Sequence, residues 1–216
     1  MKNVYSKEIL IIGNAPSVLL RKKGKDIDHF GTVVRFNNYQ IDGFQDYVGS
    51  KVDIWARNNS ERTLDRDYRQ FKQVLICNPP QIFTSNQNYN SALDLKNRIP
   101  NSILIPDKEK VLLQKELFLA GSKKSIAYRM IISKYGKNNK WGIKEGWVSS
   151  GIMVLNYFLL RYAKIYIYGF DFFSTDKNGR PNHYYEKDII TYKMHNGERE
   201  KGWVFKQINK GKIIFL

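Results

Sequence analysis

Ile9-Leu10-Ile11-Ile12-Gly13-Asn14-Ala15-Pro16-Ser17 is the stretch on which the reading of this chain turns. Four apolar β-formers end abruptly at Gly-Asn and then at Pro-Ser, which predicts a buried parallel strand breaking into a tight turn that leads toward a helix. In open α/β sheets such turns lie at the carboxyl edge, where backbone N–H groups favour anions. Val33-Val34-Arg35-Phe36-Asn37-Asn38 repeats the pattern, a short strand ending in polar amides. Two strands ending this way predict a nucleotide crevice.

Working outward, the chain alternates strands and helices. Val18 to Lys23 reads as a short helix, and Asp26 to Gly31 as a polar connection in which His29 is a surface or capping residue. Gly43 to Lys51 is rich in turn formers. Val52 to Ala56 is a third strand of alternating character, ended by the amides of Arg57-Asn58-Asn59-Ser60. Gln73 to Cys77 is a fourth strand, stopped by Asn78-Pro79-Pro80. Ser85 to Asn97 is polar and reads as an irregular loop. Ser102 to Pro106 is a further strand, and Asp107 to Leu117 and Ser125 to Tyr135 are amphipathic helices.

In the second half, Ser149 or Ser150 can cap a helix over Ile152 to Tyr162, with Ile152, Leu155, Leu159 and Tyr162 on one face. Lys164 to Tyr168 is a strand that stops at Gly169-Phe170-Asp171, and Lys212 to Phe215 is the last strand. Strands alternating with helices give an α/β class with a mainly parallel sheet flanked by helices. At 216 residues the whole chain, 1–216, is expected to form a single domain.

Composition narrows the function classes. An apolar content of 42% excludes global disorder. The one cysteine, Cys77, sits in an apolar run and permits no intrachain disulfide, and no Cys/His zinc spacing occurs. With no signal-peptide pattern and no membrane-spanning apolar run, a cytoplasmic protein is expected. The net charge of +16 points to acidic partners: nucleic acid, an anionic membrane face or a negatively charged sugar nucleotide. The basic residues are dispersed (Arg21 to Lys23, Lys123-Lys124, Lys137 to Lys140) and form no helix-turn-helix or RNA-binding signature, so no nucleic-acid partner is expected.

Two of the three histidines fall close together, His183 in Asn182-His183-Tyr184-Tyr185-Glu186 and His195 in Met194-His195-Asn196-Gly197-Glu198-Arg199-Glu200. Both stretches are polar and loop-like. Imidazoles there can reach a crevice and exchange protons near neutral pH. Glu186 and Glu200 are available to orient them, or are ordinary surface carboxylates. Asp171-Phe172-Phe173 supplies no Asp-x-Asp site for a metal-bound diphosphate.

Taken together these residues resemble the sialyltransferases of glycosyltransferase family 29. Ile11 to Ser17, Val34 to Asn37 and Asp46 to Lys51 look like the large sialyl motif. Ser149-Ser150-Gly151 with Tyr168-Gly169-Phe170 looks like the small motif, written Ser-Ser-Gly in place of the usual Ser-Thr-Gly. His183 to Glu186 resembles the third motif, and the His-x4-Glu spacing of His195 and Glu200 the very small one. All four occur in family order.

The resemblance implies a single-domain variant of the glycosyltransferase A fold that uses a CMP-activated acid sugar with neither metal nor cofactor. On it, Asn14, Ser17 and Asn37 would hold cytidine and phosphate, Ser149, Ser150 and Gly151 would do so from the opposite loop, and Gly169 and Phe170 would line the pocket. His195 would be the general base, supported by Glu200. His183, with Tyr184, would assist departure of CMP, and direct displacement would invert the anomeric carbon. The donor would carry a sialic acid, another nonulosonic acid or Kdo, and the acceptor would be a glycan, lipid-linked at an anionic membrane. The disulfide of the animal enzymes is replaced by Ile9 and Tyr162, which predicts an apolar contact there. The missing anchor and stem point to a bacterial-type enzyme. A basic α/β module that binds nucleic acid without turnover, or a degenerate transferase, is the alternative.

Overall fold

A computed structural model describes residues 8–60, 62–81, 84–118, 148–173, 183–186 and 195–216. Seven strands form one sheet: β1 (Ile9–Ile12), β2 (Thr32–Phe36), β3 (Ile54–Arg57), β4 (Gln73–Ile76), β5 (Ser102–Leu104), β6 (Ile165–Tyr168) and β7 (Ile213–Phe215). Their order is β5-β4-β3-β2-β1-β6-β7, and every described pairing is parallel. The chain builds outward from β1 to β5 and then returns to add β6 on the other side of β1. The order therefore reverses between β1 and β6, the place where open α/β sheets bind their ligands.

Alternation along β1 shows how the layers form. Ile9 and Ile11 join a cluster with Val34, Ala56, Leu155 and Trp203, while Leu10 and Ile12 face the opposite layer with Val18, Ile27 and Val48. Successive strand side chains point to opposite faces, so a run that is apolar at every position must be covered twice. The first face carries α4 (Asp107–Phe118), α5 (Ser150–Leu159) and α6 (Gly197–Asn209). The second carries the 3-10 turn Pro16–Leu20, α1 (Gly24–Asp28) and α2 (Gln45–Val48) near β1, and α3 (Asn86–Arg98) near β4. Ile9 is fully buried in the cluster on the first face, and Tyr162, partly buried, packs against that cluster.

Several expectations need correction. The stretch from Ser85 to Asn97 is helical, not irregular: Ser85 accepts a hydrogen bond from the Asn88 N–H as N-cap, and Ala92, Leu95 and Ile99 supply a narrow apolar stripe. Three small anchors at helical spacing suffice when the other faces meet water. Ser85→Ala is expected to cost about 1 kcal/mol of stability, measured by urea denaturation. The polar stretch after Lys23 contains α1, held by the buried Ile27, with exposed His29 as its C-cap. Only the 3-10 turn Pro16–Leu20 stands where a helix over Val18 to Lys23 was expected. β3 does not alternate between core and water, because Ile54 and Ala56 enter one apolar cluster and Trp55 another. The stretch after His195 is α6, opened by Asn196 as N-cap, and not a loop. The helix expected over Ser125 to Tyr135 and the basic groups Lys123-Lys124 and Lys137 to Lys140 lie outside the described residues. Among the described residues, no helix is long and apolar enough to cross a membrane.

Candidate functional site

The turns after β1 and β6 are built against each other. The Gly13 N–H donates to the Tyr168 carbonyl at 2.7 Å, and the Ala15 N–H to the Gly169 carbonyl at 3.2 Å. A Cβ on Gly13 would fall 2.1 Å from the Gly169 oxygen, so this approach requires glycine. Gly169 itself has φ +70 and lies under Val18. The switch point thus opens into a cleft of about 910 Å³ at the carboxyl end of the sheet.

Most of the anticipated residues line this one cleft: Asn14, Ser17 and Asn37 on the first half, and Ser149, Ser150, Gly151, Gly169 and Phe170 on the second. Asn14 donates its amide to the Phe36 carbonyl at 3.2 Å and to the Tyr185 hydroxyl at 3.4 Å. Asn37, at φ 42, accepts the Asn58 N–H at 3.1 Å. The Ser17 N–H donates to the Asp171 carboxylate at 3.1 Å, tying the two turns together. Phe170 packs edge-on to Phe36 and within 3.1 Å of where a Gly151 Cβ would stand. Ser150 hydrogen-bonds Cys77, whose buried thiol is pushed up to about 11 by desolvation, which disfavours the thiolate.

His183, His195 and Glu200 line the same cleft. His183 Nδ1 lies 2.6 Å from Glu186 Oε1, and its ring stacks on Tyr185 at 5.4 Å. Such a carboxylate orients the ring and fixes its tautomer. The His195 ring stacks on Phe173 at 4.9 Å. Phe172 and Phe173 both have positive φ, and the Phe172 carbonyl sits 1.7 Å from where a Gly197 Cβ would be. Two consecutive left-handed residues without glycine cost about 1–2 kcal/mol each. They are held because the chain passes directly under the start of α6, and they present the Phe173 ring to His195.

Glu200 is not aimed at an imidazole. It is 1% exposed, and its two oxygens accept the Ser149 N–H and hydroxyl, both at 2.7 Å. Ser149 in turn caps α5 by accepting the Ile152 N–H. The carboxylate therefore locks the small-motif turn to α6. Burial outweighs the two hydrogen bonds and raises the Glu200 carboxyl from 4.5 to about 7. The folded state then binds a proton that the unfolded chain releases. Stability from this group is present below pH ~4.5 and lost as pH rises toward ~7. Urea denaturation at pH 5 and pH 8 is expected to show this decline in the wild type and a flatter profile in Glu200→Gln.

Tyr184 lies outside the cleft, contrary to the substrate contact expected of it. Its side chain is 7% exposed, and its hydroxyl donates to the Gln40 carbonyl and accepts the Gln40 N–H at 3.0 Å. The neighbouring Tyr185 faces the cleft instead, since adjacent residues in a turn point different ways. Sequence reading also missed Asn58, Arg62, Thr63 and Asn88, which line the cleft beyond β2. Asn58 carried the same signal as Asn37, an amide ending a strand. Among the described residues no three His, Cys, Asp or Glu side chains are grouped to hold a metal ion.

A parallel α/β sheet whose switch point opens between two glycine turns, with imidazoles on its wall, defines a nucleotide-crevice enzyme. The chain belongs to glycosyltransferase family 29 (sialyltransferase), whose family model matches residues 2–212. No curated protein sequence matches it. Its fold is similar to that of a mammalian sialyltransferase, TM-score 0.65 at 14% identity, covering 97% of this chain and 68% of that one. A mammalian sialyltransferase in complex with Gal-beta-1-3GalNAc-ortho-nitrophenol is similar too, TM-score 0.63 at 15% identity, over 97% and 69% of the two chains. The protein is a CMP-sugar-dependent glycosyltransferase, and its family implies a CMP-sialic acid donor and a glycan acceptor.

Proposed function

We propose that this enzyme transfers a sialic acid or related nonulosonic acid from CMP to a glycan hydroxyl with inversion and without a metal. His195 takes the proton of the acceptor hydroxyl as its oxygen attacks the anomeric carbon. The bond from that carbon to the phosphate oxygen breaks, and the electron pair leaves with CMP. His183, oriented by Glu186, donates a hydrogen bond or its proton to the departing phosphate, a contact typically worth a few kcal/mol because charge develops there in the transition state. Asn14, Ser17, Asn37 and the Ser149 to Gly151 turn hold the nucleotide, with Gly169 and Phe170 beside it. The observation that supports this reading is that both imidazoles line the cleft into which the two glycine turns open.

The net charge of +16 suits a cytoplasmic anionic membrane face presenting a lipid-linked acceptor. Transfer assayed with CMP-sialic acid, a second CMP-nonulosonic acid and CMP-Kdo identifies the donor. Turnover is expected to survive EDTA, and abolition by the chelator counts against the metal-free mechanism. His183→Ala is expected to lower turnover by about 100-fold with a smaller effect on donor KM.

A further inference from the structure

The cleft extends past the nucleotide half. Its further arm is walled by the loop after β3, with Asn58, Ser60, Arg62 and Thr63, and by Thr84 and Asn88 at the start of α3. Neighbouring strands lie ~4.8 Å apart, so a loop leaving β3 stands roughly 10 Å from β1 and further from the β1/β6 switch point. A nucleotide seated at the switch point leaves this arm for whatever is attached to it or brought to it. Hydroxyls and amides suit sugar hydroxyls, whereas a guanidinium suits an anion.

Arg62 is the one lysine or arginine among the described lining residues. Its backbone is clamped: the Asn38 amide donates to its carbonyl at 2.8 Å, its N–H donates to the Ser60 hydroxyl at 3.3 Å, and the Leu64 N–H donates to Asn38 at 2.8 Å. Asn58 steadies the same loop by accepting from the Ser60 N–H and the Thr63 hydroxyl. The neighbouring arginines are occupied, Arg57 by Asp65 and Arg66 by the Tyr39 carbonyl and ring. Among the described residues, the Arg62 guanidinium has neither a carboxylate nor a carbonyl partner. A loop fixed by five polar contacts thus holds, at the wall of a sugar-sized space, a cation unpaired among the described residues.

We infer that this arm is a carbohydrate subsite and that Arg62 reads the carboxylate of an acid sugar bound in it. The assignment rests on the transferase reading above. The carboxylate has two sources, the sugar of the CMP donor or a terminal acid sugar on the acceptor.

The test is steady-state kinetics of Arg62→Ala and Arg62→Lys, with CMP titration as a separate readout and circular dichroism to verify folding. Losing a charge-assisted, bidentate contact is expected to raise one KM by about 10- to 100-fold, with partial recovery in the lysine variant. CMP, which has no carboxylate, should bind the alanine variant within about twofold of wild type. A rise in donor KM with every acceptor assigns the donor carboxylate. A rise confined to acceptors that end in an acid sugar assigns the acceptor. Both KM values within twofold of wild type would overturn the inference. So would an equal loss of CMP affinity, which puts Arg62 on the phosphate. Failure of the wild type to bind CMP would instead remove the transferase reading itself.

Discussion

His195→Ala is expected to lower sugar transfer by about 100- to 10,000-fold, the usual range for removal of a positioned general base. The loss should fall on kcat, because the acceptor proton moves only in the transition state. Affinity for CMP should change by less than about threefold, since the glycine turns and amides that would hold the nucleotide do not depend on this ring. His195→Gln separates packing from proton transfer: it refills much of the space over Phe173 without accepting a proton, and should be nearly as slow as alanine. A variant of either kind retaining wild-type kcat would dismiss His195 as the base. The geometry explains why the effect should be local. His195 immediately precedes the Asn196 cap of α6, so its backbone is fixed by a helix start, and its ring is stacked on Phe173.

Gly13→Ala should have the largest effect on the fold around the site. The added Cβ would meet the Gly169 oxygen at 2.1 Å, and that contact is backbone on both sides, so neither partner can rotate away. Either β1 and β6 separate at their carboxyl ends or the Gly13 N–H to Tyr168 hydrogen bond breaks. Overpacking of this kind costs 1–3 kcal/mol in ordinary cores, and here at least ~3 kcal/mol is expected because the clash is with main chain. CMP binding should be lost with it. Gly202→Ala is the natural comparison: Gly202 is exposed in the middle of α6, and none of the described residues outside its own helix turn comes within 4 Å of its added Cβ. There alanine should stabilise the protein by about 0.5–1 kcal/mol, from helix propensity alone. Thermal melts of the two variants, with CMP titration of each, read both expectations.

What could be read in advance follows from how locally each feature is encoded. β1, β2, β4 and β6 were legible because they are short apolar runs cut off by Gly, Asn or Pro, and both faces of a parallel sheet must be covered. α3 was not, because a helix lying on one corner of the sheet needs only Ala92, Leu95 and Ile99 as anchors, and its asparagine-rich remainder looks like a loop. α6 was hidden in a similar way, its charged first turn reading as surface loop while Trp203 and Val204 carry the burial. The cleft residues Asn14, Asn37, Ser149 and Gly169 all stand where a strand or helix begins or ends, which is the kind of place sequence punctuation marks. Three details depend on contacts across the fold and left no local trace. Glu200 grips Ser149, 51 residues away in sequence. Tyr184 turns away from the cleft toward Gln40 while Tyr185 turns in. Arg62 stands at the cleft wall, whereas nearby Arg57 is taken up by Asp65.

The central claim is that turns from both halves of the chain and two imidazoles meet around one cytidylate. A crystal structure with CMP, or with an unreactive CMP-sugar, tests it most directly. The account predicts the nucleotide between the Gly13 and Gly151 turns, its phosphate within hydrogen-bond reach of His183, and the His195 ring facing the anomeric position. A nucleotide bound outside this cleft, or one whose phosphate lies beyond the reach of both imidazoles, would contradict it.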